Sequence, residues 1–199
     1  MAPADGAGGH PGSAPRSDEE LAAVTQGGVR PHEAPIDLVE YDPRWPELFE
    51  REARRVRAAL GERALALEHV GSTSVPGLCA KPVIDVLLVV ADSADEDAYA
   101  PDLRAQGYVL RVREPDWHEH RLLNGPDTDV NLHVFGRESD EPGRMLAFRD
   151  HLRADEKDRR TYAETKRRLA ERTWRHVQHY ADAKSEVVAA IMSRALAEQ

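Results

Sequence analysis

Cysteine and long apolar runs are scarce in this sequence. Its 199 residues contain a single cysteine, Cys79, which excludes an internal disulfide and a zinc site built from several thiolates. Such sparing use of cysteine is typical of a reducing compartment. Apolar runs all fall short of the roughly 18 residues that a helix needs to cross a bilayer. We therefore expect a cytoplasmic protein without a membrane segment, in which Cys79 is a small packing residue.

Basic residues are fewer than acidic residues in this chain. The chain has 27 Lys and Arg residues against 36 Asp and Glu residues, which gives a formal net charge of −9. Since contacts between cationic side chains and phosphates supply most non-specific affinity for nucleic acids, this balance argues against a general nucleic-acid-binding protein. The net charge does not exclude a local basic groove that binds nucleic acid.

The first 35 residues differ in composition from the rest of the chain. They are rich in Ala, Gly, Pro, Ser and acidic residues, and they lack the apolar stretch of a secretory signal. Because so little apolar surface cannot offset the entropy lost on ordering, we predict a disordered leader over residues 1–35. Residues 36–199 then form one domain that is long enough to bury a core.

Hydrophobic periodicity predicts the elements of this domain. A helix begins near the prolines at 43 and 46, carries Phe49, Ala53, Val56 and Leu60 on one face, and ends at Gly61. A second helix ends near residues 106–107, and the chain is helical from residue 142 onward, with breaks near 155 and 173. Strands are predicted at 65–70, 82–90, 108–113, 121–124 and 130–135, with a short edge strand at 36–40. This order predicts an α+β or mixed α/β fold in which helices flank a central mixed sheet and a helical C-terminal part covers it.

The most informative segment is residues 68–90, which has the pattern of a strand, a turn of small residues, a lysine and a buried strand. Backbone N–H groups and hydroxyls of the turn can face an anion, and Lys81 can add a point charge for a phosphate. Asp85 is the one charged residue between 83 and 90. A buried carboxylate is costly unless it binds a metal or accepts hydrogen bonds. The candidate phosphate-binding residues of the turn are Gly71, Ser72, Thr73 and Ser74.

Three cations fall on apolar helix faces in the C-terminal half: Arg149, Lys166 and Lys184. Lysine is rarely buried without a partner, so Arg149 and Lys184 could form a basic rim that meets phosphates or a carboxylate. The alternative is that their long stems cover apolar surface while the charges reach water.

Histidines provide further candidates. His133 lies in a predicted strand and could be a metal ligand, a general base or a phosphate donor, or simply a strand histidine satisfied by its neighbours. His118 and His120 would alternate onto one face of an extended strand, but we interpret the run from 118 to 120 as a solvated loop.

Several motifs together resemble the GrpB family, also called UPF0157. The main one is Gly-Ser-Thr-Ser-x-Pro-Gly-x-x-Ala-Lys-Pro-x-Ile-Asp-Val at 71–86. Others are Tyr-Asp-Pro-x-Trp-Pro at 41–46, Asn-Leu-His-Val-Phe at 131–135, Phe-Arg-Asp-His-Leu-Arg at 148–153, and Tyr-x-x-x-Lys at 180–184. The resemblance extends from about residue 36 to the C-terminus and implies a nucleotidyltransferase-like fold.

In that fold group a Gly-Ser turn holds a nucleoside triphosphate, two acids on the next strand bind divalent metal, and a later strand adds a third acid. The resemblance assigns the turn to Gly71 and Ser72 and the first acid to Asp85. Leu87 stands at the second acid position, and the later strand carries Asn131 and His133. Two-metal catalysis needs more carboxylates than this, whereas one Mg²⁺ can be held by one or two carboxylates and substrate phosphates.

The resemblance thus implies nucleotidyl transfer from ATP or another nucleotide, with Mg²⁺ on Asp85, to an unknown small-molecule acceptor. Lys81 would hold phosphate, and Arg149 and Lys184 would orient the acceptor or the leaving pyrophosphate. A variant is adenylation of a carboxylate during amide-bond formation. The alternative, suggested by Leu87, is a non-catalytic nucleotide-binding module that regulates or assists a partner enzyme.

Overall fold

A five-stranded mixed sheet forms the centre of the protein. The computed structural model describes residues 16–29, 31–127 and 129–197, and its strand order is β1-β2-β5-β4-β3. The inner strands β2 and β5 are parallel, and the other neighbours are antiparallel. The strands are β1 (Ala66–Val70), β2 (Ile84–Val90), β3 (Val109–Glu114), β4 (His120–Asn124) and β5 (Val130–Gly136).

Helices lie on both faces of the sheet, which confirms the predicted mixed sheet with flanking helices and a helical C-terminal part. The helices are α1 (Asp18–Val24), α2 (Trp45–Leu60), α3 (Ala100–Ala105), α4 (Glu141–Ala154), α5 (Glu156–Ala170), α6 (Val177–Asp182) and α7 (Ser185–Ala197). The predicted break near residue 155 is confirmed, because Asp155 ends α4 and caps α5 by accepting a hydrogen bond from the Asp158 N–H. A further break, between α6 and α7, was not predicted.

The main core lies between one face of the sheet and α2. Alternate residues of β2 and β5 point to this side because side chains of a strand alternate between faces, and the four predicted apolar positions of α2 pack against them. The buried strand residues of this face include Ile84, Val86, Leu88, Val130, Leu132 and Val134.

The opposite face of the sheet carries the polar residues. Asp85 on β2 and Asn131 and His133 on β5 alternate with the core residues, and all three are buried. Leu87 and Phe135 continue this face and pack with Met145 of α4 in a smaller apolar cluster. The parallel pairing of β2 with β5 therefore sets Asp85 beside Asn131.

Two sequence predictions need correction. Residues 36–40 form no strand; Val39 makes a single bridge to Ala80 instead. Within the predicted disordered leader, Asp18–Val24 form α1, which begins with a capping box between Ser17 and Glu20 and buries Leu21. Capping satisfies N–H groups at the helix start, and packing of Leu21 adds the apolar contact that composition alone did not reveal. The leader prediction for residues 1–15 lies outside the described residues.

Among the helices of the described ranges, none combines the length and the apolar character required to traverse a bilayer.

Candidate functional site

The Gly-Ser turn and the acidic strand meet at Gly71 and Asp85. Gly71 adopts φ 67° and ψ −174°, a conformation that is essentially restricted to glycine. A Cβ atom built on Gly71 would lie 2.9 Å from both Cβ and Cγ of Asp85 and closer still to Oδ2. Glycine is therefore required here both by backbone conformation and by the close approach of the Asp85 carboxylate.

Amides of β4 and β5 hold the other side of the Asp85 carboxylate. Asn131 Nδ2 donates to Asp85 Oδ1 at 3.0 Å, and Asn124 Nδ2 donates to Asn131 Oδ1 at 3.0 Å. Asp85 is only 2 % exposed, so these bonds offset part of the cost of burying a carboxylate. The two asparagines thus orient Asp85.

His133 lies next to the same carboxylate oxygen. Its Nε2 atom is 3.7 Å from Asp85 Oδ1, too far for a hydrogen bond, and it is buried without a hydrogen-bond partner among the described residues. A buried unpaired nitrogen beside a buried carboxylate is costly. This pair of atoms therefore marks a place where a cation or a hydrogen-bond donor would be stabilised.

A chain of hydrogen bonds leads away from the other ring nitrogen of His133. Nδ1 of His133 is 3.0 Å from Nε2 of His120, and Nδ1 of His120 is 2.6 Å from Oε2 of Glu114. Arg16, from the segment before α1, contacts Oε1 of Glu114 at 2.5 Å. We call His133, His120 and Glu114 the histidine relay.

The protonation states along the histidine relay follow from its burial and charges. Burial raises the pKa of Glu114, but the hydrogen bond from His120 and the charges of His120 and Arg16 outweigh it and lower the pKa to about 2. Burial lowers the pKa of His120 to about 4, against the opposing hydrogen bond to Glu114. At neutral pH Glu114 is then ionised and His120 neutral, so His120 donates from Nδ1 and accepts at Nε2. His133 then donates from Nδ1 to His120, and in the neutral form of its ring the lone pair is on Nε2.

The turn is buried, and hydrogen bonds of its own side chains stabilise it. Ser74 Oγ donates to the Gly71 carbonyl at 2.6 Å, and Thr73 Oγ1 lies 3.0 Å from Nε2 of His69. Burial, with the charges of Arg153 and Arg149, lowers the pKa of His69 to about 3. Ser72 Oγ is buried and has no hydrogen-bond partner among the described residues.

Two arginines of α4 flank the turn. Arg153 donates from Nε and Nη2 to the Ser74 carbonyl at 3.0 and 2.8 Å. Arg149 donates to the His69 carbonyl at 3.0 Å and pairs with Glu68 Oε2 at 2.9 Å and Asp150 Oδ1 at 2.8 Å. The predicted cation Arg149 is thus next to the turn, but carboxylates already neutralise its charge.

The three lysines singled out in the sequence are buried. Lys166 donates to the Cys79 carbonyl and lies over the Tyr162 ring, 5.1 Å from its centroid. Lys184 lies over the Tyr180 ring at 4.5 Å, and Lys81 is 8 % exposed. The interpretation that Lys166 and Lys184 reach water is wrong, because both are at most 1 % exposed; cation–π contact helps to stabilise each ammonium inside the fold.

Sequence reasoning missed the histidine relay. His118 and Glu119 do form a turn, with positive φ values of 53° and 49°, but His120 begins β4 and is buried. His118 therefore does not share a strand face with His120. The sequence signal that places His120 on a strand face is the alternation of residues 120, 122 and 124 in β4. No sequence signal indicates the role of Glu114, because its contact with His120 depends on the pairing of β3 with β4.

Comparison with known proteins agrees with the sequence motifs. A family model described as "GrpB protein" matches residues 35–194. The chain belongs to the GrpB family. A UPF0157 protein of Halalkalibacterium halodurans is 65 % identical over 183 residues, which cover 92 % of this chain and 94 % of that protein. The crystal structure of the conserved protein GrpB from Enterococcus faecalis superposes with a TM-score of 0.72 and 32 % identity, covering 81 % of this chain and 98 % of that one.

A weaker likeness exists to a chain of the Cid1 poly(U) polymerase, in a structure described as MgGTP bound. Its TM-score is 0.41 and its identity is 11 %, over 64 % of this chain and 45 % of that one. Similarity at this level indicates no function for this GrpB family member.

The donor set of this GrpB family member fits one divalent cation. Asp85 supplies a carboxylate, and Leu87, two residues further on the same strand face, is buried in the apolar cluster with Val70 and Phe135. A single carboxylate together with substrate phosphates suffices for Mg²⁺, whereas two cations held together need more acidic ligands. The unpartnered Nε2 of His133 lies 3.7 Å from Asp85 Oδ1 and is not needed as a ligand.

A second group of metal-type side chains lies at the α4–α5 junction. Ligand atoms of His151, Asp155 and Asp158 are all within 4.8 Å of one another. However, Asp158 accepts two hydrogen bonds from Arg194, both 2.7 Å long, and lies 2.8 Å from His151 Nε2. Because the arginine already compensates this carboxylate, the group is an ion-pair network that ties α7 to α5.

Proposed function

We propose that this protein binds a nucleoside triphosphate, such as ATP, with one Mg²⁺ at the Gly71–Asp85 contact and transfers the nucleotidyl group to a small-molecule acceptor. The observation that carries the proposal is the packing of the Asp85 carboxylate against the glycine of a Gly-Ser turn, with an unpartnered histidine nitrogen beside it. Buried polar atoms left without partners are costly, which supports a ligand at this position.

Phosphate would bind on the turn side of the contact. The unpartnered hydroxyl of Ser72 and the N–H groups of the turn are hydrogen-bond donors suited to phosphate oxygens. Arg153 adds positive charge next to the turn, and Arg149, whose charge Glu68 and Asp150 neutralise, lies beside it. The sequence predicts that Lys81 contacts phosphate and that Lys184 contacts the acceptor or the leaving pyrophosphate. Both lysines are buried in the same domain, and the proposal includes these two roles.

Each group would contribute to the transfer in a defined way. Asp85 would hold the Mg²⁺, and the bound ion would supply charge stabilisation for the phosphoryl oxygens. The lone pair of His133 Nε2 takes the proton of the attacking hydroxyl or amine. That oxygen or nitrogen forms a bond to the α-phosphorus while the bond to pyrophosphate breaks, and pyrophosphate keeps the electron pair. Glu114 and His120 hold His133 in the tautomer that can accept this proton.

A second function is favoured by Leu87. Because the position of a second acid on β2 is apolar and buried, the site could bind a nucleotide without turning it over, as a regulatory or accessory module. Binding is common to both proposals, and release of pyrophosphate separates them.

Thermal unfolding with nucleotides tests the shared part of both proposals. A ligand that binds only the folded state raises the melting temperature, so ATP with Mg²⁺ should raise it and ATP with chelator should not. Asp85→Asn should abolish the Mg²⁺-dependent shift while the protein stays folded. Asp129→Asn, an exposed acid just before β5, is the matched control and should keep the shift.

Turnover is tested with α-labelled ATP and a panel of hydroxyl, amino and carboxylate compounds, the carboxylates with and without an amine. Label in a new product, with release of pyrophosphate, supports transfer; label in AMP supports the adenylation variant. Mg²⁺-dependent binding without pyrophosphate from any compound would favour the non-catalytic module. Absence of Mg²⁺-dependent nucleotide binding would refute both proposals.

A further inference from the structure

A cavity of about 720 Å³ lies between the N-terminal segment and the β3 side of the sheet. Strands β3 and β4 line one side of it, and α1, the residues that follow α1 and the start of α6 line the other. This volume falls within the range of small-molecule sites. Residues before 35 lie outside the match to the GrpB family model, so part of the wall comes from a segment that this match does not include.

Much of the lining is apolar. Side chains from α1, β3, β4 and α6 contribute to this surface, which includes Leu21, Val24, Val29, Val112, Leu122 and Val177. Apolar surface that faces water is stabilised when an apolar group covers it. The lining therefore favours a ligand with an apolar body.

A β-bulge places Arg111 on the cavity side of β3. Leu110 pairs with Leu123 and Val112 pairs with Leu122, so Arg111 is the extra residue between two consecutive pairs. A bulge re-aims side chains, and Arg111 and Val112 both line the cavity although they are adjacent in sequence. In a regular strand, neighbouring side chains would point to opposite faces of the sheet.

The guanidinium of Arg111 lies against the turn that follows α1. A Cβ atom built on Gly27 would be 3.4 Å from Arg111 Nη1, and the next residue, Gly28, lines the cavity. The turn is attached to β3, because Gln26 donates its N–H to the Arg111 carbonyl at 2.7 Å. The charged end of the side chain is therefore held beside the cavity wall.

The charge of Arg111 is not compensated. The side chain is half-buried and makes no ion pair or hydrogen bond with the described part of the chain. In contrast, Arg113, two residues further along β3, pairs with Glu96 at 2.6 Å. Arg16, which also lines the cavity, pairs with Glu114 at 2.5 Å. Since a guanidinium keeps its charge in proteins and a partly buried charge without a partner is costly, Arg111 would be stabilised by an anion.

We infer that this cavity binds a monocarboxylate with an apolar body, and that the carboxylate pairs with the guanidinium of Arg111. A guanidinium presents parallel N–H donors that match a planar carboxylate, and the apolar wall receives the rest of the molecule. One negative charge matches one uncompensated cation. The additional charge of a phosphate monoester would find no second unpaired cation among the described residues of the lining.

This site is separate from the proposed nucleotide site. Asp85 is on β2 and Arg111 is on β3, and the strands β5 and β4 lie between them. Neighbouring strands are about 4.8 Å apart, which puts roughly 14 Å between β2 and β3. A carboxylate at Arg111 is therefore not the group that attacks the α-phosphorus, and its binding requires neither nucleotide nor Mg²⁺. Failure of either proposal leaves the other standing.

Isothermal titration calorimetry of the full chain, without nucleotide or metal, tests the inference with octanoate as the probe. We expect octanamide to bind about tenfold more weakly, because it keeps the apolar body but cannot form the charged pair. Butyrate, with four fewer CH₂ groups, should also bind at least about tenfold more weakly. Absence of octanoate binding would overturn the inference, as would an octanoate affinity equal to that of octanamide or of butyrate.

Variants locate the charged pair. Arg111→Gln should weaken octanoate binding about tenfold and remove the preference for octanoate over octanamide. Arg104→Gln, at an exposed position of α3, removes the same charge and should leave binding unchanged. Unchanged octanoate affinity in a folded Arg111→Gln protein would overturn the inference. Should Arg111→Gln not fold, the comparison of octanoate with octanamide and butyrate in the unaltered protein decides alone.

Octyl phosphate tests the choice of a carboxylate. We expect it to bind more weakly than octanoate, because its additional negative charge lacks a partner in the lining. Tighter binding of octyl phosphate that is lost in Arg111→Gln would overturn the assignment of a carboxylate.

Discussion

The Asp85 carboxylate lies directly against Gly71. In the antiparallel pair of β1 and β2, Asp85 is opposite Val70, the residue before Gly71, so the first residue of the turn passes over the acid. A side chain at Gly71 would occupy the space of the carboxylate. The turn and the acid are therefore one structural unit, and any ligand of Asp85 also meets the turn.

Substitution of this glycine should be strongly destabilising. We expect Gly71→Ala to lower the free energy of unfolding by about 2 to 4 kcal/mol, since it combines backbone strain with overpacking against Asp85. Gly77→Ala is the control, because Gly77 also has a positive φ of 77° but no atom within 4 Å of the added Cβ. It should lose about 1 to 2 kcal/mol from strain alone. Urea unfolding measures both, and equal losses would contradict the close approach of Asp85.

The histidine relay predicts a defined tautomer at His133. Nitrogen NMR of the histidine rings at neutral pH should show the proton on Nδ1 of His133. Glu114→Gln removes the charge that orients His120, so the population of the other tautomer should rise, with a loss of about 1 to 3 kcal/mol in unfolding free energy. Glu119→Gln, at a half-buried residue paired with Arg121, should change neither quantity. A proton found on Nε2 of His133 in the unaltered protein would refute the assignment.

Stability should fall as the pH is lowered below about 6.5, the ordinary pKa of histidine. His69 and His120 have folded-state pKa values of about 3 and about 4. Between those values and 6.5 the unfolded chain binds protons that the folded protein does not. Each group then costs about 1.4 kcal/mol per pH unit, and the loss is absent above the unfolded pKa.

The contribution of His69 can be isolated. His69→Gln should flatten the dependence of unfolding free energy on pH between about 6 and 4, although removal of its stacking on Phe49 lowers stability overall. His32→Gln, at an exposed position, should leave the slope unchanged. An unaltered slope in His69→Gln would show that His69 is charged in the folded protein.

Neutralisation of Glu68 should free Arg149 for phosphate. Glu68 is partly exposed and pairs with Arg149 at 2.9 Å, while the Arg149 side chain is 10 % exposed and keeps Asp150 as a second partner. We expect Glu68→Gln to tighten binding of inorganic triphosphate by about two- to fivefold at low salt. Glu62→Gln, at an exposed position before β1, controls for the change in net charge. Equal tightening in both variants would mean that Arg149 does not meet the phosphate.

Much of the fold was predictable because the signals are local. An apolar run interrupted only by Asp85 located β2, apolar and polar residues alternate in β5, and a spacing of three and four residues located the buried face of α2. The prediction of an edge strand at 36–40 was wrong, because strand propensity does not supply a neighbouring strand to pair with. That segment makes one isolated bridge, from Val39 to Ala80. The predicted leader failed at α1 because composition does not report a cap or a packing site.

The sequence by itself determined that one acid follows a Gly-Ser turn on a buried strand, that no second acid accompanies it, and that polar residues occupy alternate positions of β5. Only the tertiary structure decided which groups surround that acid. Asn131 and His133 reach Asp85 through the parallel pairing of β2 with β5, and α1 closes a cavity over β3 and β4. The physical reason is that periodicity follows from the geometry of a single element, whereas strand pairing and helix docking depend on the packing of the whole domain.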